Sequence, residues 1–143
     1  MIQIHSPSEM QELGKKIGAK LKAGDLVSLI GPLGAGKTEL TKGIGAAFGI
    51  TEITSPTFVI ARSYKTTPPF IHMDAYRLMA GSNPLAELED LDLNSEGAVT
   101  IIEWGDLASH LSSDYLEVNI DRSEEVRKVE LIGHGNRWSG FSL

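Results

Sequence analysis

A chain of 143 residues with 41% apolar and 22% charged side chains has the make-up of one ordinary globular domain, 1–143, burying roughly two thirds of its unfolded surface. No apolar run nears the ~20 residues that cross a bilayer, the first residues lack the basic start and apolar stretch of a secretory leader, and the lack of cysteine excludes disulfides and thiolate metal sites. A net charge of −6, with Glu87, Glu89, Asp90, Asp92 and Glu96 close together, suits a protein partner and disfavours tight unaided binding of nucleic acid.

In chain order, residues 1–5 alternate as a short strand. Ser8 and Gln11 have the spacing of a capping box, and Met10, Leu13, Ile17 and Leu21 then share one helical face, with Gly24 placed to stop the helix. Lys15, Lys16, Lys20 and Lys22 form its solvated side. The run 26–30 is a mostly apolar strand of the kind found deep inside a sheet. After a glycine-rich turn, Leu40, Ile44, Ala47 and Phe48 mark a second helix that starts near Lys37 and ends at Gly49. Residues 57–64 and 70–76 read as strands joined by a turn with Pro68 and Pro69. Residues 83–96 are irregular, with a short helix near 85–88, and 99–102 is a second buried strand. Leu116, Val118 and Ile120 alternate, and 126–132 returns antiparallel to them. The pattern predicts an α/β domain with a mixed parallel and antiparallel sheet and few helices.

Gly31-Pro32-Leu33-Gly34-Ala35-Gly36-Lys37-Thr38 fits the phosphate-binding pattern G-x-x-x-x-G-K-[ST] at every fixed position. Glycines let the backbone turn its N–H groups inward as an anion nest, Lys37 supplies a point charge for β- and γ-phosphates, and Thr38 offers a hydroxyl to Mg²⁺. Chance would produce the pattern in roughly one such chain in a hundred, and the strand before it with the helix after it lowers that further. The predicted nucleotide contacts are Gly31, Leu33, Gly34, Ala35, Gly36, Lys37, Thr38 and Glu39.

Hydrolysis needs a further acidic group and a way to place water. Glu103 ends the strand 99–102, where its carboxylate either holds Mg²⁺ or faces solvent. Asp74 is the other catalytic candidate, on a strand whose His72, Asp74 and Tyr76 alternate with Ile71, Met73 and Ala75. His72 reads as a hydrogen-bonded neighbour of Asp74. Trp104 either stacks on the base or belongs to the core. His5, His110 and His134 lack metal-ligand spacing. Arg77 pairs locally or meets a partner, and Arg137-Trp138 packs back onto the domain or joins an interface.

At these residues the chain resembles the TsaE (YjeE) family of small bacterial P-loop ATPases. The resemblance is carried by the phosphate loop, by Thr54-Ser55-Pro56-Thr57-Phe58, by His72-Met73-Asp74-Ala75-Tyr76-Arg77-Leu78, and by Ile102-Glu103-Trp104. It implies a P-loop NTPase-like fold, Mg²⁺ and ATP as cofactors, and slow hydrolysis coupled to the TsaD and TsaB proteins in forming threonylcarbamoyladenosine on tRNA, in the cytoplasm. By the same resemblance Thr38 and Glu103 hold Mg²⁺, Asp74 serves activity, and Ser55 to Phe58 act as a switch beside the γ-phosphate. Pro32 stands where the family commonly has Asp, and Gly105 where it often has Pro. The rival readings are a small nucleoside or nucleotide kinase, against which the scattered arginines and missing lid argue, and a nucleotide sensor without turnover.

Overall fold

The computed structural model describes residues 1–32, 34–53, 61–74, 97–103 and 112–143, and of Asp74 the backbone alone. The described strands make one seven-stranded sheet, ordered β1-β7-β6-β2-β5-β4-β3. At its centre β2 (Leu26–Ile30) runs parallel to β5 (Val99–Glu103) and to β6 (Tyr115–Asp121), and β4 (Phe70–Asp74) runs parallel to β5. Antiparallel strands close both sides: β7 (Arg127–His134) and β1 (Ile2–Ile4) beyond β6, and β3 (Ala61–Tyr64) beyond β4. This is the mixed α/β sheet that the sequence predicts.

Burial separates the two kinds of strand. Every residue of β5 and all but the last of β2 are buried, as strands covered on both faces must be, whereas β6 buries alternate residues. On one face Val27, Leu29, Val99, Ile101, Leu116 and Val118 meet Met10, Leu13 and Ile17 of α1 (Pro7–Gly18) and Leu40 and Ile44 of α2 (Lys37–Ala46). Each such side chain taken fully from water stabilises by about 1.5–3 kcal/mol. The helices approach closely because glycines line their crossing. A Cβ on Gly43 would run into the Gln11 carbonyl, and one on Gly14 into that of Leu40.

Two local expectations change. The cap of α1 is Ser6, whose hydroxyl accepts from the Glu9 amide at 3.1 Å, not Ser8; Pro7 occupies the first helical turn, where its missing N–H costs nothing. The helix ends at Gly18 rather than at Gly24, which instead turns the chain into β2 with φ +87°. Leu21 stays buried without being helical.

The C-terminal segment packs back onto the domain. Arg137 donates through Nε to Asp25 Oδ1 at 2.9 Å and through Nη2 to Asp25 Oδ2 at 2.8 Å and to the Lys20 carbonyl at 3.0 Å. Its guanidinium lies 4.2 Å from the ring centroid of Trp138, which is itself buried.

Candidate functional site

The strand β2 ends at Ile30 and α2 begins at Lys37, so the glycine-rich segment lies at the carboxyl end of a central parallel strand, where open α/β sheets bind ligands. Gly34 (φ +78°) and Gly36 (φ +114°) adopt the left-handed conformations that the pattern requires of glycine. At Gly31 the constraint is space: a Cβ would sit 2.9 Å from the Ile120 carbonyl of β6. Gly36 is the N-cap of α2 and offers no side chain to bond the helix's first amides. Those amides are the groups that a phosphate takes, with the helix dipole aligned in its favour.

Lys37 is 6% exposed, and its ammonium donates to the carbonyls of Gly31 and of Pro32, the latter at 3.0 Å. Ala35 is buried, while Thr38 and Glu39 are half-buried. The Glu39 carboxylate accepts from Gln11 of α1 and pairs with Lys42 at 3.2 Å. The Gln11 hydrogen bond, the largest effect, holds that carboxyl below the ordinary value; burial opposes it next, and Lys42 adds to the lowering.

Across the sheet Glu103 lies in register with Leu29 on one side and Asp74 on the other. The carboxyl ends of β2, β5 and β4 therefore bring the phosphate loop and both predicted acidic residues to one edge. Glu103 is no solvent-facing strand end: it is 4% exposed, and its Oε2 lies 3.1 Å from Nε2 of His72, which is fully buried. Sequence reading placed His72 beside Asp74; its ring bonds Glu103. Leu33, Trp104, the segment 54–60 and residues 75–78 lie outside the described residues, as does the Asp74 side chain.

A cavity of about 220 Å³ opens against Gly34, Ala35 and Gly36, walled by Ile4, Ser6, Pro7, Met10, Glu125 and Arg127 among others. Arg127 donates from Nη2 to the Gly34 carbonyl at 3.3 Å, and Arg122 lies against the same glycine. Sequence reading missed this wall, because it is assembled from β1, the start of α1 and the β6–β7 hairpin. Among the described residues no cluster of three metal-ligating side chains occurs.

A family model described as threonylcarbamoyl adenosine biosynthesis protein TsaE matches residues 4–129. The chain belongs to the TsaE family. A Streptomyces coelicolor protein named tRNA threonylcarbamoyladenosine biosynthesis protein TsaE is 45% identical over 140 residues, covering 91% of this chain and 94% of its own. The TsaE protein of Bacillus subtilis is 37% identical over 138 residues, 93% of this chain and 85% of that one. The crystal structure of Bacillus subtilis YdiB superposes with a TM-score of 0.77 at 30% identity, covering 96% of this chain and 87% of that one. The TsaE likeness read from four sequence blocks thus extends over nearly the whole chain. Among the described residues no helix is long and apolar enough to cross a membrane.

Proposed function

We propose that this TsaE-family chain binds Mg·ATP on Gly31 to Thr38 and hydrolyses it slowly, as an accessory to the TsaD and TsaB proteins in forming threonylcarbamoyladenosine on tRNA. The observation that carries the nucleotide reading is the loop itself. A buried ammonium folded onto its own main-chain carbonyls and an N-terminal helical turn without a side-chain cap together form a site for a polyphosphate. The tRNA role follows from family membership and from the names of the relatives.

In this reading the β- and γ-phosphates take the place of the loop carbonyls as partners of Lys37. The α2 amides bind the phosphate oxygens, and Gly34 and Gly36 let the backbone approach them. The nucleoside end lies in the cavity beside Gly34 to Gly36, where Pro7 and Met10 offer apolar surface and Ser6 and Arg127 offer polar groups. The Thr38 hydroxyl and the Glu103 carboxylate are hard oxygen donors, which fits Mg²⁺. Thr38 and Glu103 would hold the ion, which would supply positive charge to offset the negative charge that develops in phosphoryl transfer. Asp74, in register with Glu103, orients the attacking water. With its net charge of −6 the chain reaches tRNA through the partner proteins, which complete the site and exclude water from it.

The test is steady-state phosphate release from the chain alone, with TsaB and TsaD, and with tRNA only. Turnover is expected to be low alone, to rise with the protein pair and to be unmoved by tRNA. Glu103→Ala should keep metal-free nucleotide binding and lose turnover by about 100-fold or more, in the range seen when one transition-state contact is removed. Parent-like turnover in that variant would return Glu103 to a structural role. Stimulation by tRNA without either protein would overturn the partner reading.

A further inference from the structure

His72 is the one fully buried histidine among the described residues. It sits in β4 between Ile71 and Met73, both buried, and its register partner across β5 is Ile101. Its Nδ1 is buried with no hydrogen-bond partner among the described residues. A leucine would fill much of that space without stranding a nitrogen, so what the ring adds over an apolar side chain is the bond at its other nitrogen. That atom, Nε2, lies 3.1 Å from Glu103 Oε2, and among the described residues it makes the one hydrogen bond to that carboxylate. The contact is diagonal: parallel pairing sets His72 beside Ile101, so the ring reaches one step along the strand towards the end that carries the phosphate loop.

We propose that His72 is a positioning residue for Glu103, donating from Nε2 to Oε2 so that Oε1 is fixed in one direction, towards a divalent cation held with the nucleotide. A glutamate side chain has three rotatable bonds, and a donor on one oxygen settles the plane of the carboxylate. Partners behind a ligating group typically change metal affinity by about 10–100-fold when removed. The proposal rests on the Mg·nucleotide reading of the site, and it assigns to a buried core side chain a role exerted only through Glu103.

The experiment is a titration with a fluorescent ATP analogue, with and without Mg²⁺ at constant ionic strength, using the full chain. The quantity read is the factor by which Mg²⁺ tightens binding. His72→Leu should bind the metal-free analogue like the parent and lose about tenfold or more of that factor. His72→Gln, whose side-chain amide reaches the place of Nε2, should recover most of it; His72→Asn, whose amide ends near the place of Nδ1, should not. The glutamine and asparagine pair decides the matter even if the leucine variant does not fold, with thermal melting confirming that each is native. Equal Mg²⁺ factors in the two variants, or a parental factor in His72→Leu, overturn the proposal. A parent whose affinity ignores Mg²⁺ overturns it too, but that failure belongs to the metal reading and appears equally in Glu103→Ala.

Discussion

The two ends of β2 each carry a buried charge of equal exposure, and the two charges are handled differently. At its start Asp25, 6% exposed, accepts two hydrogen bonds from the Arg137 guanidinium and a third from the Lys22 amide at 2.6 Å. Carboxylate and guanidinium satisfy each other in a fixed bidentate geometry. Beyond its far end Lys37, also 6% exposed, directs its ammonium at the carbonyls of Gly31 and Pro32. Those bonds are to dipoles of its own loop, and a polyphosphate can replace them. Glu103, at the same edge of the sheet, has one side-chain hydrogen bond among the described residues, although a carboxylate has room for about four. At the start of β2 a charged acceptor meets a charged donor, whereas at the far end the Glu103 carboxylate keeps acceptor capacity among the described residues.

The comparison is tested most severely at Lys37. If the ammonium is kept for phosphates, Lys37→Ala should lower affinity for a fluorescent ATP analogue by about 100-fold, since each charge-assisted bond contributes about 1.5–3 kcal/mol and two phosphates are within its role. Its melting temperature without ligand should hardly move. A folded Lys37→Ala protein with parental affinity would remove the distinction between the two ends.

Arg137→Ala should do the reverse. Breaking a buried pair costs about 3–5 kcal/mol, and because the Arg137 side chain is 30% exposed the expected loss is smaller, about 2 kcal/mol. For a chain of this size that is a fall of about 5–10 °C in melting temperature. Nucleotide affinity of the folded fraction should stay parental. A matching loss of affinity would show that the pair at the start of β2 also shapes the loop at its end.

What could be read from the sequence follows the range of each interaction. The strand, the glycine loop and α2 are encoded within about twenty consecutive residues, by apolar runs and by glycines at obligatory positive φ, and they form where expected, except that α2 ends at Ala46 and 47–49 make a turn instead of carrying the helix to Gly49. The α1 cap was misread by two residues because Ser6 and Ser8 both have capping chemistry, and Pro7 between them was the deciding signal. Leu21 extended the helical period past the real end at Gly18, because burial alone does not distinguish a helix from the turn after it. His72 with Glu103 is separated by 31 residues and Arg137 with Asp25 by 112. Neither pair can be read without the sheet order and register. The cavity wall of Ser6, Met10 and Arg127 is hidden for the same reason.

The smallest effect is expected between the two regions, at Glu39. It lies in the first turn of α2, two residues past Lys37, and its carboxylate ties that helix to Gln11 of α1. The Gln11 hydrogen bond and, after it, Lys42 hold its folded-state pKa below the ordinary 4.5. A depressed carboxyl stabilises the fold fully above its unfolded value and loses that contribution as pH falls through the folded one. The parent should therefore lose stability over the acid limb below about pH 4.5, and Glu39→Gln should lose less of it. Glu9 and Asp121 are lowered as well, by amide hydrogen bonds from His5 and Ser123, but both remain in the variant, so the difference between the curves belongs to Glu39. Denaturant midpoints measured from about pH 6 to about pH 3 give that difference. Parallel curves would mean that the tie between α1 and α2 rests on the glycine crossing and the apolar packing alone. A flatter acid limb in the variant would make this carboxylate part of what holds the helix behind the loop in place.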